Sequence, residues 1–212
     1  MPDLSRYQHP RFARAYDRMS RQAEATTGEL RARLSAGLSG RVLEIGAGNG
    51  LSFRHYPPGV REVLAVEPDD VLRAAAERAA ATAPVPVRVV PGHAGALPAE
   101  TGAFDAAVTS LVLCSVPDLA AALAELRRVL KPGGELRFFE HARSDRPGRV
   151  LLQRLVTPVW SLMAGGCHLD RDPVTAIGAA GLTVEEHDRF AHRPLPGSPT
   201  LTHVLGRARK AA

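Results

Sequence analysis

Two acids and a run of glycines carry the first chemistry in this chain. In Arg41-Val-Leu-Glu-Ile-Gly-Ala-Gly-Asn-Gly50 an apolar run, Val42 to Ile45, leads directly into Gly46, Gly48 and Gly50. Glycines at the end of a strand let the backbone turn tightly and let a ligand come close to the main chain. Glu44 places an acid where a pyrophosphate would need a welcoming field. The pattern therefore suits a ligand with a positive amino group and no phosphate. Glu67 follows about 20 residues after the glycines, a spacing at which an acid ending the second strand can accept hydrogen bonds from ribose hydroxyls. By itself Glu67-Pro68 also reads as a solvated turn; the preceding loop favours the ribose reading.

S-adenosylmethionine has this chemistry, a charged amino acid end joined to a ribose. A dinucleotide loop needs Gly-x-Gly-x-x-Gly, and from Gly46 and Gly48 that demands glycine at a position held by Leu51. A phosphate-binding Gly-Lys-Ser/Thr motif is absent.

The elements that must position these groups alternate. The spacing predicts two helices over residues 10–36 with a break near Thr26-Thr-Gly28, then a strand at 41–45. A helix is expected from Asn49 to Pro57, a strand at 63–66, and an alanine-rich helix to about Ala81 capped by Asp69. Strands follow at 85–90 and 104–110, an Asp118-capped helix to Leu130, a turn at Lys131-Pro-Gly-Gly134 and a strand at 135–140. An apolar helical block at 145–171 and a short helix at 172–180 precede two β-like runs, 182–187 and 201–206. This predicts an α/β, Rossmann-like, doubly wound seven-stranded sheet, mostly parallel, with an antiparallel terminal hairpin. The expected organisation is one domain, 1–212: a helical lid at 1–38, a cofactor-binding core at 40–141, and acceptor-side helices and terminal strands at 142–212.

Bulk properties agree with one enzyme-sized unit. The 212 residues suffice for a core, and the net charge of +5 reads as solvated helix faces and a basic tail, so no nucleic-acid partner is expected. No apolar stretch is long enough to span a membrane, and the first residues lack a signal-like apolar centre, so the expectation is cytoplasmic. Cys114 and Cys167 are too few for a disulfide framework and lack metal-site spacing; no resident metal is expected. They read either as a redox or covalent pair or as small buried apolar residues. A monomer and a homodimer both remain open.

Residues 40–141 resemble the class I S-adenosylmethionine-dependent methyltransferases. The likeness rests on Val-Leu-Glu-Ile-Gly-Ala-Gly-Asn-Gly, Val-Glu-Pro, Gly-His-Ala-Gly-Ala-Leu-Pro, Phe-Asp and Leu-Lys-Pro-Gly-Gly. It implies S-adenosylmethionine as cofactor and S-adenosylhomocysteine as product. It implies Glu44, Gly46, Ala47 and Gly48 at the methionine end, Glu67 and Pro68 at the ribose, His93 and Ala94 bordering the adenine, and Ser110 and Leu111 near the methionine tail. Many relatives carry an acid where this chain has His93, whose neutral ring can accept a hydrogen bond from the adenine amino group.

A narrower likeness lies in Ser110-Leu-Val-Leu-Cys-Ser-Val116, Phe139-Glu-His141, and Gln153, Pro158, Trp160 and Gly166-Cys-His-Leu-Asp-Arg171. These resemble small methyltransferase-like enzymes that methylate alkyl thiols at animal membranes. The polar 1–20 segment stands where those relatives have an apolar anchor, so a soluble small-molecule thiol is expected here. The alternatives are N- or O-methylation of a lipid, quinone or other small metabolite, or a non-catalytic cofactor-binding module. A thiol needs only to reach its thiolate, from a free value near ~8.5. His141 ends a strand at the crevice and can titrate near neutrality, which makes it the candidate base. His168, oriented by Asp170, is a second candidate, and Asp17 a third catalytic candidate. Tyr7, Tyr16, Cys114 and Trp160 are expected at the acceptor. Phe12 and Met19 fit an apolar acceptor wall or plain packing.

Overall fold

The computed structural model describes residues 3–212; Met1 and Pro2, the start of the expected lid segment, lie outside the described residues. Seven strands form one sheet: β1 Gly40–Ile45, β2 Val60–Val66, β3 Val87–Val90, β4 Phe104–Ser110, β5 Leu130–His141, β6 Leu182–His192 and β7 Leu201–Lys210. The described helices are α1 Pro10–Gln22, α2 Glu24–Ser35, α3 Asp70–Ala80, α4 Leu119–Val129, α5 Pro147–Met163 and α6 Pro173–Ala179. The sheet order is β3-β2-β1-β4-β5-β7-β6, with β1 to β5 parallel and β7 antiparallel to both β5 and β6. The expected Rossmann-like sheet with its terminal hairpin is therefore present.

The sheet is apolar on both faces because both are covered. Leu43, Ile45, Leu136 and Phe138 pack with Leu123 and Leu126 of α4 and Ile177 of α6. Val42, Ala65, Val108 and Phe139 pack on the other face with Leu34 of α2, Ala76 of α3 and Phe53. The chain runs outward from β1 to β3, then crosses back to β4 on the other side of β1. That reversal opens a crevice beyond the carboxyl ends of β1 and β4, where ligands of such sheets bind.

Asp69 caps α3 by accepting from the backbone N–H groups of Val71 and Leu72, and Asp118 caps α4 through Ala121. Other boundaries differ from the sequence reading. The break in the first helical region falls at Ala23, so Thr26 to Gly28 lie inside α2. Thr26 is accommodated because its hydroxyl bonds back to the Ala23 carbonyl, a local pairing a helix interior tolerates. No α-helix follows Asn49. Turns and a short 3-10 segment, Phe53–His55, make the crossover, since a left-handed Gly50 at φ +76° breaks helical continuity. Lys131 to Gly134 is not a free turn but a bulge within β5: Phe104 pairs with Leu130, then Ala106 with Glu135. The terminal strands extend well beyond the alternating runs, to His192 and Lys210.

Candidate active site

The glycine loop is shaped by steric necessity. Gly46 and Gly48 sit at φ +60° and +57°. A Cβ on Gly46 would lie 2.6 Å from Val112 Cγ2, whereas Gly48 has room and needs glycine for its backbone angle alone. The loop is tied to the end of β2: Gly48 N–H donates to Glu67 Oε2 at 2.8 Å, and Asp69 N–H donates to Oε1 at 2.9 Å. Each carboxylate oxygen keeps a free lone pair, which suits a donor pair such as ribose hydroxyls. The residues present thus fit S-adenosylmethionine at this rim.

Both acids of the loop are buried. Burial pushes the Glu67 carboxyl up to about 7, against the pull of the Asp69 and Gly48 N–H groups. Burial likewise raises Glu44 to about 7, opposed by the Tyr56 hydroxyl, which donates to Glu44 Oε2 at 2.8 Å. Ala47 packs beneath the loop in the core and donates its N–H to Val66. Pro68 presents its carbonyl to the Gln8 side chain at 2.8 Å.

Across the crevice, Ser110 ends β4, and Leu111 adopts φ +60° while its N–H bonds the Phe139 carbonyl at 2.7 Å. A leucine in the left-handed region is strained, and such strain concentrates where a site over-determines the backbone. Glu140 supplies that constraint. It is fully buried and accepts from the N–H groups of Val112 and Cys114 at 3.1 and 3.3 Å. Sequence reasoning passed over Glu140; the available signal was an acid inside an apolar strand, Phe138-Phe-Glu.

His93 is bridged to Ala96, with Ala94 packed on the core beside it. The His93 ring corrects one expectation. Gly95 N–H donates to its Nδ1 at 3.2 Å, so the neutral ring carries its proton on Nε2 and offers a donor, not an acceptor, to a ligand. Tyr7, expected at the acceptor, stacks on His93 with ring centroids 5.3 Å apart.

Helix α1 folds over the loop. Tyr16 lies closest to Gly48, its ring carbon 3.5 Å from where a Cβ would be, and stacks with Phe12, which in turn presses on Gly165. Burial raises the Tyr16 hydroxyl, and Glu67, Cys114 and Glu140 are all among the groups it senses. Asp17 is committed elsewhere: its Oδ1 accepts from Asn49 Nδ2 at 2.7 Å and from Arg21 at 2.9 Å. It latches the lid to the loop, and the expectation of a catalytic Asp17 gives way to that role. Met19 is 46% exposed.

The carboxyl ends of β4 and β5 are sulfur-rich. His141 Nδ1 lies 3.5 Å from Cys114 Sγ and 3.3 Å from Cys167 Sγ. The three come from the loop after β4, the end of β5 and the loop after α5. Leu169, Trp160, Ala164 and Leu201 wall the cysteines. The cysteines are apart in sequence but converge in space on His141, with ligand atoms of all three within 4.8 Å of one another. Cys167 is drawn down, by Cys114 first and also by the Trp160 N–H, while Cys114 is pushed well above the usual thiol range by Cys167 and by burial. His141 resists the downward pull of burial and is raised by Cys114. Beside it His203 stacks on Phe139, and burial drops His203 to about 3. His168 joins this region only through its backbone, donating to the Cys114 carbonyl at 2.8 Å. Among the described residues no hydrogen bond links Asp170 to its ring, so the proposed orientation is not present.

Glycine loop, acid at the end of β2, lid and sheet order together define a class I S-adenosylmethionine-dependent methyltransferase. The methyltransferase domain model matches residues 43–138. The chain is 33% identical over 201 residues to human thiol S-methyltransferase TMT1B, spanning 90% of this chain and 81% of that protein. The rat thiol S-methyltransferase TMT1B is 30% identical over 202 residues, with 93% and 82% covered. A putative methyltransferase from Bacillus halodurans shares the fold at TM-score 0.72 and 17% identity, covering 87% of this chain and 98% of its own. The chain belongs to the S-adenosylmethionine-dependent methyltransferase family, and it binds S-adenosylmethionine and releases S-adenosylhomocysteine. Among the described residues no helix is long and apolar enough to cross a membrane.

Proposed function

We propose that this enzyme methylates the sulfur of a small thiol. The supporting observation is the half-buried His141 between two cysteines in an apolar nook at the carboxyl ends of β4 and β5. The thiol S-methyltransferase relatives favour the same acceptor. S-adenosylmethionine, when bound, supplies a methyl group on a sulfonium whose departing sulfide is neutral. Glu67 and the Gly46–Gly48 loop hold its ribose and amino acid ends, with Glu44 setting a negative field beneath. Tyr16 and Phe12 close the lid and exclude water, so that positioning and desolvation do most of the work. The apolar wall of Trp160, Leu169 and Leu201 receives the acceptor's carbon skeleton, and His141 accepts its sulfhydryl proton.

A panel of small thiols, amines and phenols with a methyl-labelled donor tests this. Turnover concentrated in the thiols is the expected result; turnover of amines alone would remove the reading.

A further inference from the structure

Cys114, His141 and Cys167 present one ligand atom each, all within 4.8 Å of one another. Two thiols and an imidazole are the donor set that soft or borderline metal ions select. A tetrahedral zinc ion with Zn–S near 2.3 Å and Zn–N near 2.05 Å has nitrogen–sulfur edges of about 3.6 Å. The observed edges, 3.5 and 3.3 Å, lie close to that value before any ion draws the groups together. We propose that these three side chains form a three-coordinate protein site for Zn²⁺, with the fourth position left to an exchangeable ligand.

Three features beyond the distances support this. The cysteines are free thiols at 1% and 4% exposure, not joined in a disulfide. The loops that carry them are fixed: Cys114 N–H bonds Glu140, His168 N–H bonds the Cys114 carbonyl, and Arg171 donates to the Leu113 and Val116 carbonyls, both at 2.8 Å. Such a frame orients ligands in advance. The Trp160 indole N–H is buried in the cysteine wall beside the Cys167 sulfur. A metal-bound thiolate there would accept from it more strongly than a neutral thiol does.

The site stands on these side chains whatever the acceptor is. One extension rests on the thiol reading: an acceptor thiol taking the fourth position would lose its proton to solvent and be held as thiolate by the ion, in place of His141 acting as base.

The test uses the full chain, kept reduced with a phosphine, stripped by a chelator and titrated with Zn²⁺ or with Co²⁺ as a spectroscopic probe. We expect uptake of one ion per chain, a thiolate-to-cobalt charge-transfer band, and a rise in melting temperature with Zn²⁺. Cys167→Ser and His141→Ala should each weaken uptake at least about tenfold, the scale on which even supporting groups of metal sites act. The unaltered protein alone decides if the variants fold poorly: absence of a thiolate–cobalt band overturns the site. So does equal uptake by a folded Cys114→Ser/Cys167→Ser variant. Loss of the thiol reading would appear in the acceptor panel and leave metal uptake untouched.

Discussion

The two walls of the crevice are built on opposite terms. On the donor side, the polar groups at its rim already hold partners: Glu67 takes two backbone N–H groups, Glu44 the Tyr56 hydroxyl, Asp17 the Asn49 amide. At the ends of β4 and β5, His141 Nδ1 and the two cysteine sulfurs face one another at 3.3–3.5 Å, weak contacts between groups that can exchange roles. Helix α5 beyond them exposes Leu151, Leu155, Val159, Leu162 and Met163. The difference follows from what each wall meets. A cofactor of fixed chemistry is served by hard carboxylates and backbone donors in a preset cradle. On the proposed thiol reading, the acceptor sulfur meets soft, polarisable groups in an apolar surround.

The sharpest way to break this contrast is to remove His141. His141→Ala should lower turnover by about 10² to 10⁴, the range of a lost acid–base group, while leaving S-adenosylmethionine affinity within about twofold. A matching loss of cofactor affinity, read by calorimetry, would mean that the walls are not separable. The reciprocal change is Glu67→Ala. It removes an acceptor of charged hydrogen bonds worth about 1.5–3 kcal/mol each, so affinity should fall by roughly two orders of magnitude. Unchanged calorimetric affinity would displace the ribose site from the end of β2.

A smaller effect sharpens the donor side through pH. Hydrogen bonds from ribose hydroxyls and the pull of the cofactor's ammonium both favour ionised carboxylates. With Glu67 at about 7 in the free protein, affinity should rise roughly tenfold between pH 6 and pH 8 and then level off. Glu67→Gln should flatten that rise. Stability of the free protein moves the other way. Glu44 and Glu67 are raised above their ordinary 4.5, so the stability they contribute is complete below about 4.5 and lost as pH rises through about 7. Cofactor should therefore raise the melting temperature more at pH 8 than at pH 6.

The donor wall was legible in the sequence because its chemistry is local. Glu44, the glycines and Glu67 sit at strand ends, where a short apolar run and a following breaker fix their place. The acceptor wall was less legible because it is assembled from loops remote in sequence. Cys114 and Cys167 have no spacing that signals a ligand pair, and only β4, β5 and the loop after α5 bring them to His141. Tyr7 and Asp17 were placed on the right segment but not by the right partner, since a helix period shows which face is buried and not what it touches. The helix expected to begin near Asn49 and stop before Pro57 does not form, because the left-handed Gly50 breaks helical continuity.

The smallest expected effect tests the far edge of the acceptor wall. Leu155 on α5 is 70% exposed and Leu126 on α4 is fully buried, though both are leucines in helices. Replacing Leu155 by Gln, a residue of similar helix propensity, removes little area that folding had taken from water. Stability should change by no more than about 0.5 kcal/mol. Leu126→Ala leaves a cavity against Leu123 and Leu136 and should cost about 2–5 kcal/mol. Denaturant unfolding of the two variants gives the comparison directly. A Leu155→Gln loss approaching that of Leu126→Ala would show that α5 buries its apolar face in solution, and the acceptor wall would then be as closely packed as the donor wall.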